Sequence, residues 1–293
     1  MRGRPTTAFV LSGGASLGAL QVGMLRALYE REIVPDLLLG SSVGALNAAF
    51  VASRPQEVAT ADELARVWQG MQRQDVFPID LRMLAGGLWG RRDHVIGARG
   101  LERIVRRHLE LEDLAESPIP LHVVAFDLSS GREVRLSSGP AVEAVLGAAA
   151  IPGILPPVRI GEQRLVDGAV LNNTPISHAV ALGAQRIYVL PTQDPSRPAG
   201  RLPRTALDAA IQMLGVRTSD HLRADIVRYK NDAELIVLPA PNARRVQPTD
   251  FRHAAELTAG ALAAARTALA GIPAAGRRDA ALAHLYVVAP ATP

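Results

Sequence analysis

The fold of this chain is decided by the stretch Leu37-Leu38-Leu39-Gly40-Ser41-Ser42-Val43-Gly44-Ala45-Leu46-Asn47-Ala48. Its three leucines predict a buried strand, and its alanine-rich end predicts a helix. The Gly-x-Ser-x-Gly sequence between them is typical of a nucleophile elbow, a strand-to-helix turn that exposes one serine hydroxyl. Because such a turn leaves little room for Cβ atoms, we expect Gly40 and Gly44 to support it. We predict that Ser42 is a catalytic nucleophile, with an ordinary turn as the alternative.

Strand-like and helix-like stretches alternate along the chain on both sides of this elbow. Strands are predicted over 7–12, 37–41, 121–127, 132–136, 164–166, 186–190 and 234–238. Helices are predicted over 17–30, 45–52, 61–72, 100–109, 141–150, 176–182 and 254–270. Because such alternation with short connections is typical of α/β proteins, we predict a three-layer α/β/α sandwich with a mostly parallel central sheet. We expect a single domain over 1–293, with a polar surface loop over 191–203 and a helical C-terminal portion over 203–293.

The composition excludes several classes of function. Of 293 residues, 48% are hydrophobic and 20% charged, which is typical of a globular protein. The absence of cysteine excludes disulfides, thiolate catalysis and cysteine-ligated metals, and is compatible with a reducing cytoplasm. A net charge of only +4 with scattered arginine pairs does not indicate nucleic-acid binding. With no apolar run of the ~20 residues that span a bilayer, and no secretory segment before the first strand, we expect a cytoplasmic protein. We also predict no cofactor and no metal. Peripheral contact with a membrane stays open.

A second glycine-rich turn follows the first predicted strand. Its sequence, Ser12-Gly13-Gly14-Ala15-Ser16-Leu17-Gly18, fits neither of the usual glycine spacings of nucleotide-binding loops, and no lysine follows. Consecutive small residues at a strand-to-helix turn leave backbone N–H groups available for a developing oxyanion. Gly13, Gly14 and Ala15 are therefore candidates for an oxyanion hole, with a closely packed turn as the alternative.

A third segment, Val166-Asp167-Gly168-Ala169, ends a short predicted strand. Asp167 is a candidate base for the serine, whose hydroxyl needs a positioned proton acceptor, although a turn former or helix cap is the alternative. In a triad of the α/β-hydrolase order, a histidine would follow this aspartate. The histidines after Asp167 are His178, His221, His253 and His284. None of them follows a predicted strand, so the residue pattern identifies no third member.

Together, these three segments resemble the patatin-like phospholipase family. The family combines a glycine-rich oxyanion loop, a Gly-x-Ser-x-Gly elbow and a downstream Asp-Gly-[Ala/Gly] motif, matched here at 12–18, 40–44 and 167–169. Residues 126–131 and 148–158 resemble two lesser signatures of the family, and the resemblance covers a core of about 6–190. It implies a lipid acyl hydrolase with a Ser42–Asp167 dyad and no catalytic histidine. It also implies that the N–H groups of Gly13, Gly14 and Ala15 hold the oxyanion.

The glycine-rich turn departs from the family pattern at two positions. Ala15 stands in the place of the third glycine and Leu17 in the place of a basic residue. An alanine at this position keeps its backbone donor provided that its φ is negative. Because the basic residue is missing, a neutral ester or an acyl thioester is a candidate substrate as well as a phospholipid. A histidine-dependent esterase or acyltransferase and a non-catalytic lipid-binding or regulatory protein stay open. The apolar segment 77–94, with Trp89, is a candidate lid or membrane-dipping flap, and a helix–loop packed on the core is its alternative.

Overall fold

A computed structural model describes residues 6–78, 93–194, 203, 205–241, 243 and 246–272 of the chain. Its strands are β1 Thr7–Leu11, β2 Leu37–Ser41, β3 Leu121–Asp127, β4 Arg132–Leu136, β5 Val158–Ile160, β6 Gln163–Asp167, β7 Arg186–Leu190 and β8 Glu234–Val237. Its α-helices are α1 Ala19–Tyr29, α2 Val43–Ala52, α3 Val58–Gly70, α4 Arg73–Val76, α5 Arg99–His108, α6 Ala141–Ala148, α7 Ile176–Ala181, α8 Ala206–Tyr229 and α9 Ala254–Ala270. Short 3₁₀ turns over Ala15–Gly18 and Gly168–Val170 follow β1 and β6.

The described strands form one sheet whose hydrogen-bonded neighbours follow the order β5-β6-β3-β2-β1-β7-β8, with β4 also paired to β3. In this order β6 and β2 pair with different parts of β3, at residues 125–127 and 121–124. The five strands from β3 to β8 in this order are parallel to one another. The strands β4, β5 and β6 pair antiparallel at one end of the sheet. The predicted three-layer α/β/α fold with a mostly parallel sheet is confirmed.

The central strands are buried on both faces because their apolar runs are continuous. Alternate residues of β1 enter two different cores, since successive side chains of a strand point to opposite faces. Phe9 packs in the larger core with residues of α1, α2 and α6, whereas Val10 packs in the smaller core with residues of α7 and α8. In the described part of the chain, no helix is both long enough and apolar enough to cross a membrane.

The strands β2 and β6 approach each other along the same edge of β3. Ser41, the last residue of β2, lies opposite Val124, and Asp167, the last residue of β6, lies opposite Ala125. Both strands must share this edge because β4 occupies the other edge of β3 along the same residues. Since β2 is parallel to β3 and β6 is antiparallel to it, their carboxyl ends meet.

The structure differs from the sequence-based expectations at two places. Residues 158–160 form β5, which pairs with β6 in a hairpin that the sequence did not indicate. The polar surface loop predicted over 191–203 is wrong at its start, because Thr192 is only 1% exposed and packs at the end of the sheet. The rest of that loop, the flap residues 79–92 and the C-terminal residues 273–293 lie outside the described residues.

Candidate active site

Ser42 occupies a strained turn between β2 and α2. Its backbone has φ 54° and ψ −130°, a combination that residues with a side chain rarely adopt. The two elbow glycines allow this turn to pack tightly. A Cβ atom on Gly40 would lie 2.4 Å from the Gly44 carbonyl oxygen, and one on Gly44 would lie 2.1 Å from the Leu11 carbonyl oxygen. The elbow therefore rests directly on the carboxyl end of β1.

Asp167 lies beside this serine and is buried, with 1% of its surface exposed. Burial raises the pKa of Asp167 from 3.8 to about 6, because a charged carboxylate loses its hydration there. Hydrogen bonds from the Ser42 side chain and from the Ala169 N–H act in the opposite direction. The Ala169 nitrogen lies 2.8 Å from the Asp167 carboxylate. The structure thus brings together the predicted nucleophile and the predicted base, and it gives the base a pKa close to neutrality.

One short segment anchors the backbones of both residues. The Ser42 N–H donates to the Ala148 carbonyl at 2.9 Å, and the Asp167 N–H donates to the Ala150 carbonyl at 2.8 Å. This segment follows α6 and belongs to the alanine-rich stretch that the sequence singled out at 148–158. Because its two carbonyls are two residues apart, the segment fixes the spacing between the nucleophile and the base.

Asn173 and Thr192 hold both polar groups of Gly13. The Gly13 N–H donates to the Asn173 side-chain oxygen at 3.0 Å and to the Asn173 carbonyl at 3.2 Å. The Gly13 carbonyl accepts from the Asn173 side-chain nitrogen at 3.2 Å and from the Thr192 hydroxyl. The Gly13 N–H is therefore occupied, which corrects the prediction that it is a free donor to an oxyanion.

The N–H groups of Gly14 and Ala15 have no acceptor in the described part of the chain. In a trans peptide the C=O and the following N–H point in opposite directions, so the held Gly13 carbonyl directs the Gly14 N–H the other way. The Gly14 carbonyl accepts a hydrogen bond from the Leu17 N–H at 3.1 Å. The Ala15 N–H, which belongs to the same peptide group, therefore points away from Leu17. The turn adjoins the serine, because a Cβ atom on Gly13 would lie 2.6 Å from the Ser42 Cβ.

A cavity of about 90 Å³ begins at Ser42 and Ala15. Its walls come mainly from α2, α3 and α5, and include Leu46, Phe50, Leu64, Trp68, Phe77 and Ile104. The polar groups of the wall are largely occupied, since the Trp68 indole N–H donates to the Asn47 side chain at 3.0 Å. Such a lining suits a hydrocarbon chain.

The same asparagine belongs to a buried network that the sequence did not reveal. The Asn47 side-chain nitrogen donates to Gln21 at 2.8 Å and to the Gly18 carbonyl at 3.0 Å. The Gln21 side chain in turn donates to the carbonyls of Ser12 and Leu190 at 2.7 and 3.0 Å. The network joins the elbow helix to the glycine-rich turn and to the end of β7.

Within the described residues, no histidine hydrogen-bonds to Ser42 or Asp167. The histidines considered from sequence have other partners: His178 contacts Glu133, His221 contacts the Leu171 carbonyl and His253 contacts Glu256. His284 lies outside the described residues. Across the described chain, no three acidic or histidine side chains are arranged to hold a metal ion.

Comparison with known proteins bears on this arrangement. A model of the family described as patatin-like phospholipase matches residues 9–180, more than half of the chain. The chain belongs to the patatin-like phospholipase family. The matched range includes the elbow, the glycine-rich turn and the Asp-Gly-Ala motif of this patatin-like protein.

Relatives of this patatin-like protein include bacterial and fungal chains. An uncharacterized NTE family protein of Mycobacterium tuberculosis is 29% identical over 205 residues, which cover 66% of this chain and 32% of that protein. The lysophospholipase NTE1 of Mycosarcoma maydis is 27% identical over 182 residues, covering 62% of this chain and 9% of that protein. The chain spans less than half the length of these curated relatives. The structure of VipD from Legionella pneumophila is similar over 89% of this chain and 67% of VipD, with a TM-score of 0.44 and 14% identity.

The two departures from the patatin-like loop pattern have distinct structural consequences. Ala15 has φ 51°, so the condition of a negative φ is not met and the alanine occupies the left-handed region, where its N–H still has no acceptor among the described residues. That conformation costs an L-residue about 1 kcal/mol relative to glycine. Leu17 is 3% exposed and packs in the larger core, so an apolar contact replaces the cation of the family pattern.

Proposed function

We propose that this chain hydrolyses carboxylic esters of lipids through Ser42 and Asp167. The observation that carries the proposal is the contact between a strained elbow serine and a buried carboxylate with a pKa of about 6. This contact lies where an apolar cavity begins. Membership of the patatin-like phospholipase family and the relationship to a named lysophospholipase support a lipid substrate.

In the first half of the reaction, the Ser42 hydroxyl attacks the ester carbonyl while Asp167 accepts its proton. The C–O bond to the alcohol then breaks, and the departing oxygen takes the proton from the aspartic acid. The products of this half are the free alcohol and a Ser42 acyl-enzyme. A carboxylate with a pKa near neutrality suits both steps, because it can accept and return a proton at physiological pH.

Deacylation repeats the same proton transfers with water. Asp167 takes a proton from the water molecule as its oxygen attacks the acyl carbonyl. The bond to the Ser42 oxygen breaks, and that oxygen recovers the proton. The fatty acid leaves and the hydroxyl is restored, so no group beyond the dyad is needed to balance the protons.

The oxyanion formed in each half is stabilised by the N–H groups of Gly14 and Ala15. Each such donor typically contributes about 3–4 kcal/mol of transition-state stabilisation. Asn173 and Thr192 are positioning residues in this scheme, because they hold the Gly13 carbonyl and thereby orient the Gly14 N–H. The N–H group of Gly13 is occupied by Asn173, so Gly13 does not donate to the oxyanion.

The apolar cavity is proposed to hold the acyl chain of the substrate. With Leu17 in place of a basic residue, the glycine-rich turn offers no side-chain cation to a phosphate. We accordingly propose that selectivity rests on the acyl chain, and that monoacyl phospholipids, neutral esters and acyl thioesters share one binding mode. The proposal implies an enzyme of one domain that is located in the cytoplasm and contacts membranes peripherally.

Labelling with a fluorophosphonate tests the proposal, since the probe reacts with activated serines. We expect the wild-type chain to be labelled and to hydrolyse p-nitrophenyl esters, Ser42→Ala to lose both properties, and Asp167→Asn to lose at least 100-fold in turnover. Ser41→Ala is the matched control, because the Ser41 hydroxyl is buried one residue away and has no hydrogen-bond partner among the described residues.

Two results would replace the proposed function with one of its alternatives. Loss of turnover in a single His→Ala variant, with Asp167→Asn still active, would establish the histidine-dependent alternative. Absence of labelling in a folded wild-type chain would establish the non-catalytic lipid-binding alternative, which the substituted loop residues Ala15 and Leu17 motivate.

A further inference from the structure

The exposed face of α5 carries a row of three arginines, Arg99, Arg103 and Arg107. We call this row the arginine ridge. Its members are four residues apart, so they follow one line about 12 Å long on the helix surface. Within the described part of the chain, none of the three has an acidic partner. Arg106 on the same helix differs, because Glu102 and Glu143 bind it at 2.9 and 3.0 Å.

Helix stability does not account for the ridge. Like charges four residues apart repel each other across one helical turn, and the ridge contains two such pairs. Arg99, the first residue of α5, lies at the positive end of the helix dipole, which disfavours a cation, whereas Arg107 lies in the last turn, where the dipole favours one. The dipole therefore does not offset the repulsion between Arg99 and Arg103, and an anion bound along the ridge relieves that repulsion.

The opposite face of α5 lines the cavity that begins at Ser42. Leu101, Ile104 and Val105 point inward from this helix and contribute to the cavity wall. One helix thus presents cations on its outer surface and the proposed acyl site on its inner surface. Four arginines and one glutamate give its ten residues a net charge of +3, against +4 for the whole chain.

We infer that the arginine ridge binds the anionic head-group layer of a membrane and holds the cavity next to its lipid substrate. The chemistry fits because each anionic phospholipid head group supplies a phosphate that no cation of the same head group neutralises, and arginine binds phosphate oxygens through several N–H donors. A row of separate cations suits a surface of many phosphates better than it suits one small anion. The purpose of this docking rests on the proposed lipid hydrolase function, whereas the binding itself does not.

Co-sedimentation of the full chain with vesicles tests the inference. The vesicles contain phosphatidylcholine alone or phosphatidylcholine with phosphatidylglycerol. We expect strong binding only to the anionic vesicles, weakened at high salt because exposed charges are screened. Each Arg→Gln change along the ridge is expected to reduce affinity about fivefold, and the triple change R99Q/R103Q/R107Q about 100-fold. The triple variant is also expected to unfold at a temperature no lower than that of the wild type.

The matched control replaces three exposed arginines on β4, β5 and α8, namely R132Q/R159Q/R228Q. It removes the same charge from other surfaces, so it should retain most of the binding to anionic vesicles. Equal losses in the two triple variants would overturn the inference in favour of a general charge effect. Undiminished vesicle binding by the ridge variant, or tighter binding of the ridge to duplex DNA than to vesicles, would also overturn it.

A catalytic readout separates this inference from the proposed function. The ratio of hydrolysis on anionic vesicles to hydrolysis of a soluble ester should fall in the ridge variant and stay constant in the control variant. If neither substrate is hydrolysed by the wild type, the proposed function fails. In that case loss of vesicle binding in the ridge variant alone still supports the docking surface.

Discussion

Asn173 holds Gly13 through both its side chain and its backbone, with donor–acceptor distances of 3.0 to 3.2 Å. Asn173 belongs to the loop that begins at Asp167, whereas Gly13 belongs to the turn that follows β1. The hydrogen bonds therefore connect the proposed base with the proposed oxyanion donors. A displacement of one of these two loops displaces the other.

This connection predicts a kinetic effect of Asn173→Ala and Thr192→Val. Each change removes one of the two side-chain donors to the Gly13 carbonyl, so the direction of the Gly14 N–H is held less firmly. We expect kcat on a soluble ester to fall about 10- to 100-fold with little change in KM, because only the transition state carries the oxyanion. Asn172→Ala is the control, since that side chain binds other residues and should leave kcat within about twofold. Equal effects of the two asparagine changes would contradict the positioning role.

The raised pKa of Asp167 predicts how activity depends on pH. The base must be ionised to accept the serine proton, so kcat/KM should rise with pH along a limb centred near 6 and level off above it. A pH profile on an uncharged p-nitrophenyl ester measures this limb. A histidine can titrate in the same range, so His178→Ala, His221→Ala and His253→Ala serve as controls. The limb should persist in all three, and its loss in one of them would assign it to that histidine.

The same pKa predicts that Asp167 weakens the folded state at neutral pH. The native carboxyl keeps its proton up to about pH 6, whereas the unfolded one loses it near 3.8, so the native state binds more protons between these values. The free energy of unfolding therefore falls as pH rises through this window, by about 3 kcal/mol in total. Asp167→Asn removes the titration, so its unfolding temperature should exceed that of the wild type at pH 8 and approach it near pH 4.

Asp127→Asn is a control for which we expect the opposite change in unfolding temperature. Burial raises the pKa of Asp127, but hydrogen bonds from Arg164, Ser129 and Ser130 outweigh burial and lower the pKa to about 2. Its ionised form therefore stabilises the fold at neutral pH, and Asp127→Asn should lower the unfolding temperature at pH 8. If Asp167→Asn also lowered that temperature, the burial argument would be wrong.

Ala15→Gly is predicted to stabilise the protein. The change removes the left-handed strain of the alanine at φ 51°, and this relief exceeds the added entropy of a glycine in the unfolded chain. We expect the free energy of unfolding to rise by about 0.5–1 kcal/mol in urea denaturation. Ala263→Gly, at an exposed position inside α9, should lower it by about 1 kcal/mol. A loss of stability in both variants would contradict the strain at Ala15.

Filling the apolar cavity is predicted to change chain-length preference. Leu46 lies one helical turn beyond the elbow and lines the cavity. Leu46→Trp should reduce kcat/KM for a decanoyl ester at least tenfold more than for an acetyl ester, because only the longer chain needs the filled space. Turnover of a chain-length series of p-nitrophenyl esters measures the difference. Equal losses along the series would remove the cavity from the proposed acyl site.

Features set by local chemistry could be predicted from the sequence. The apolar run before Gly40 indicated a buried strand, and the pattern after it indicated a helix, as the structure has them. The resemblance to the patatin-like family added the link between Ser42 and Asp167, which spacing alone could not supply. The structure places these two residues in contact, and their catalytic roles stay predictions for the variants above.

Features that depend on distant contacts could not be predicted in this way. Thr192 follows a strand in a proline-rich stretch and looks like a surface residue, yet it is buried against the glycine-rich turn. Asn173 looks like part of a polar turn, and the occupation of the Gly13 N–H became visible only with its partner in place. The left-handed backbone of Ala15 likewise follows from the packing of the turn and not from the alanine itself.

Because β2 and β6 meet along one edge of β3, the pairing of Ser42 with Asp167 depends on how far folding has proceeded. Ser42 and Asp167 are far apart in the chain and become neighbours only when both strands have docked on β3. Such long-range pairings form late, because closing long loops costs entropy before any contact repays it. A newly made chain with its helices formed but its sheet incomplete has no dyad. The proposed dyad of Ser42 and Asp167 therefore forms only at the end of folding, and a chain whose sheet is incomplete cannot carry out the proposed chemistry.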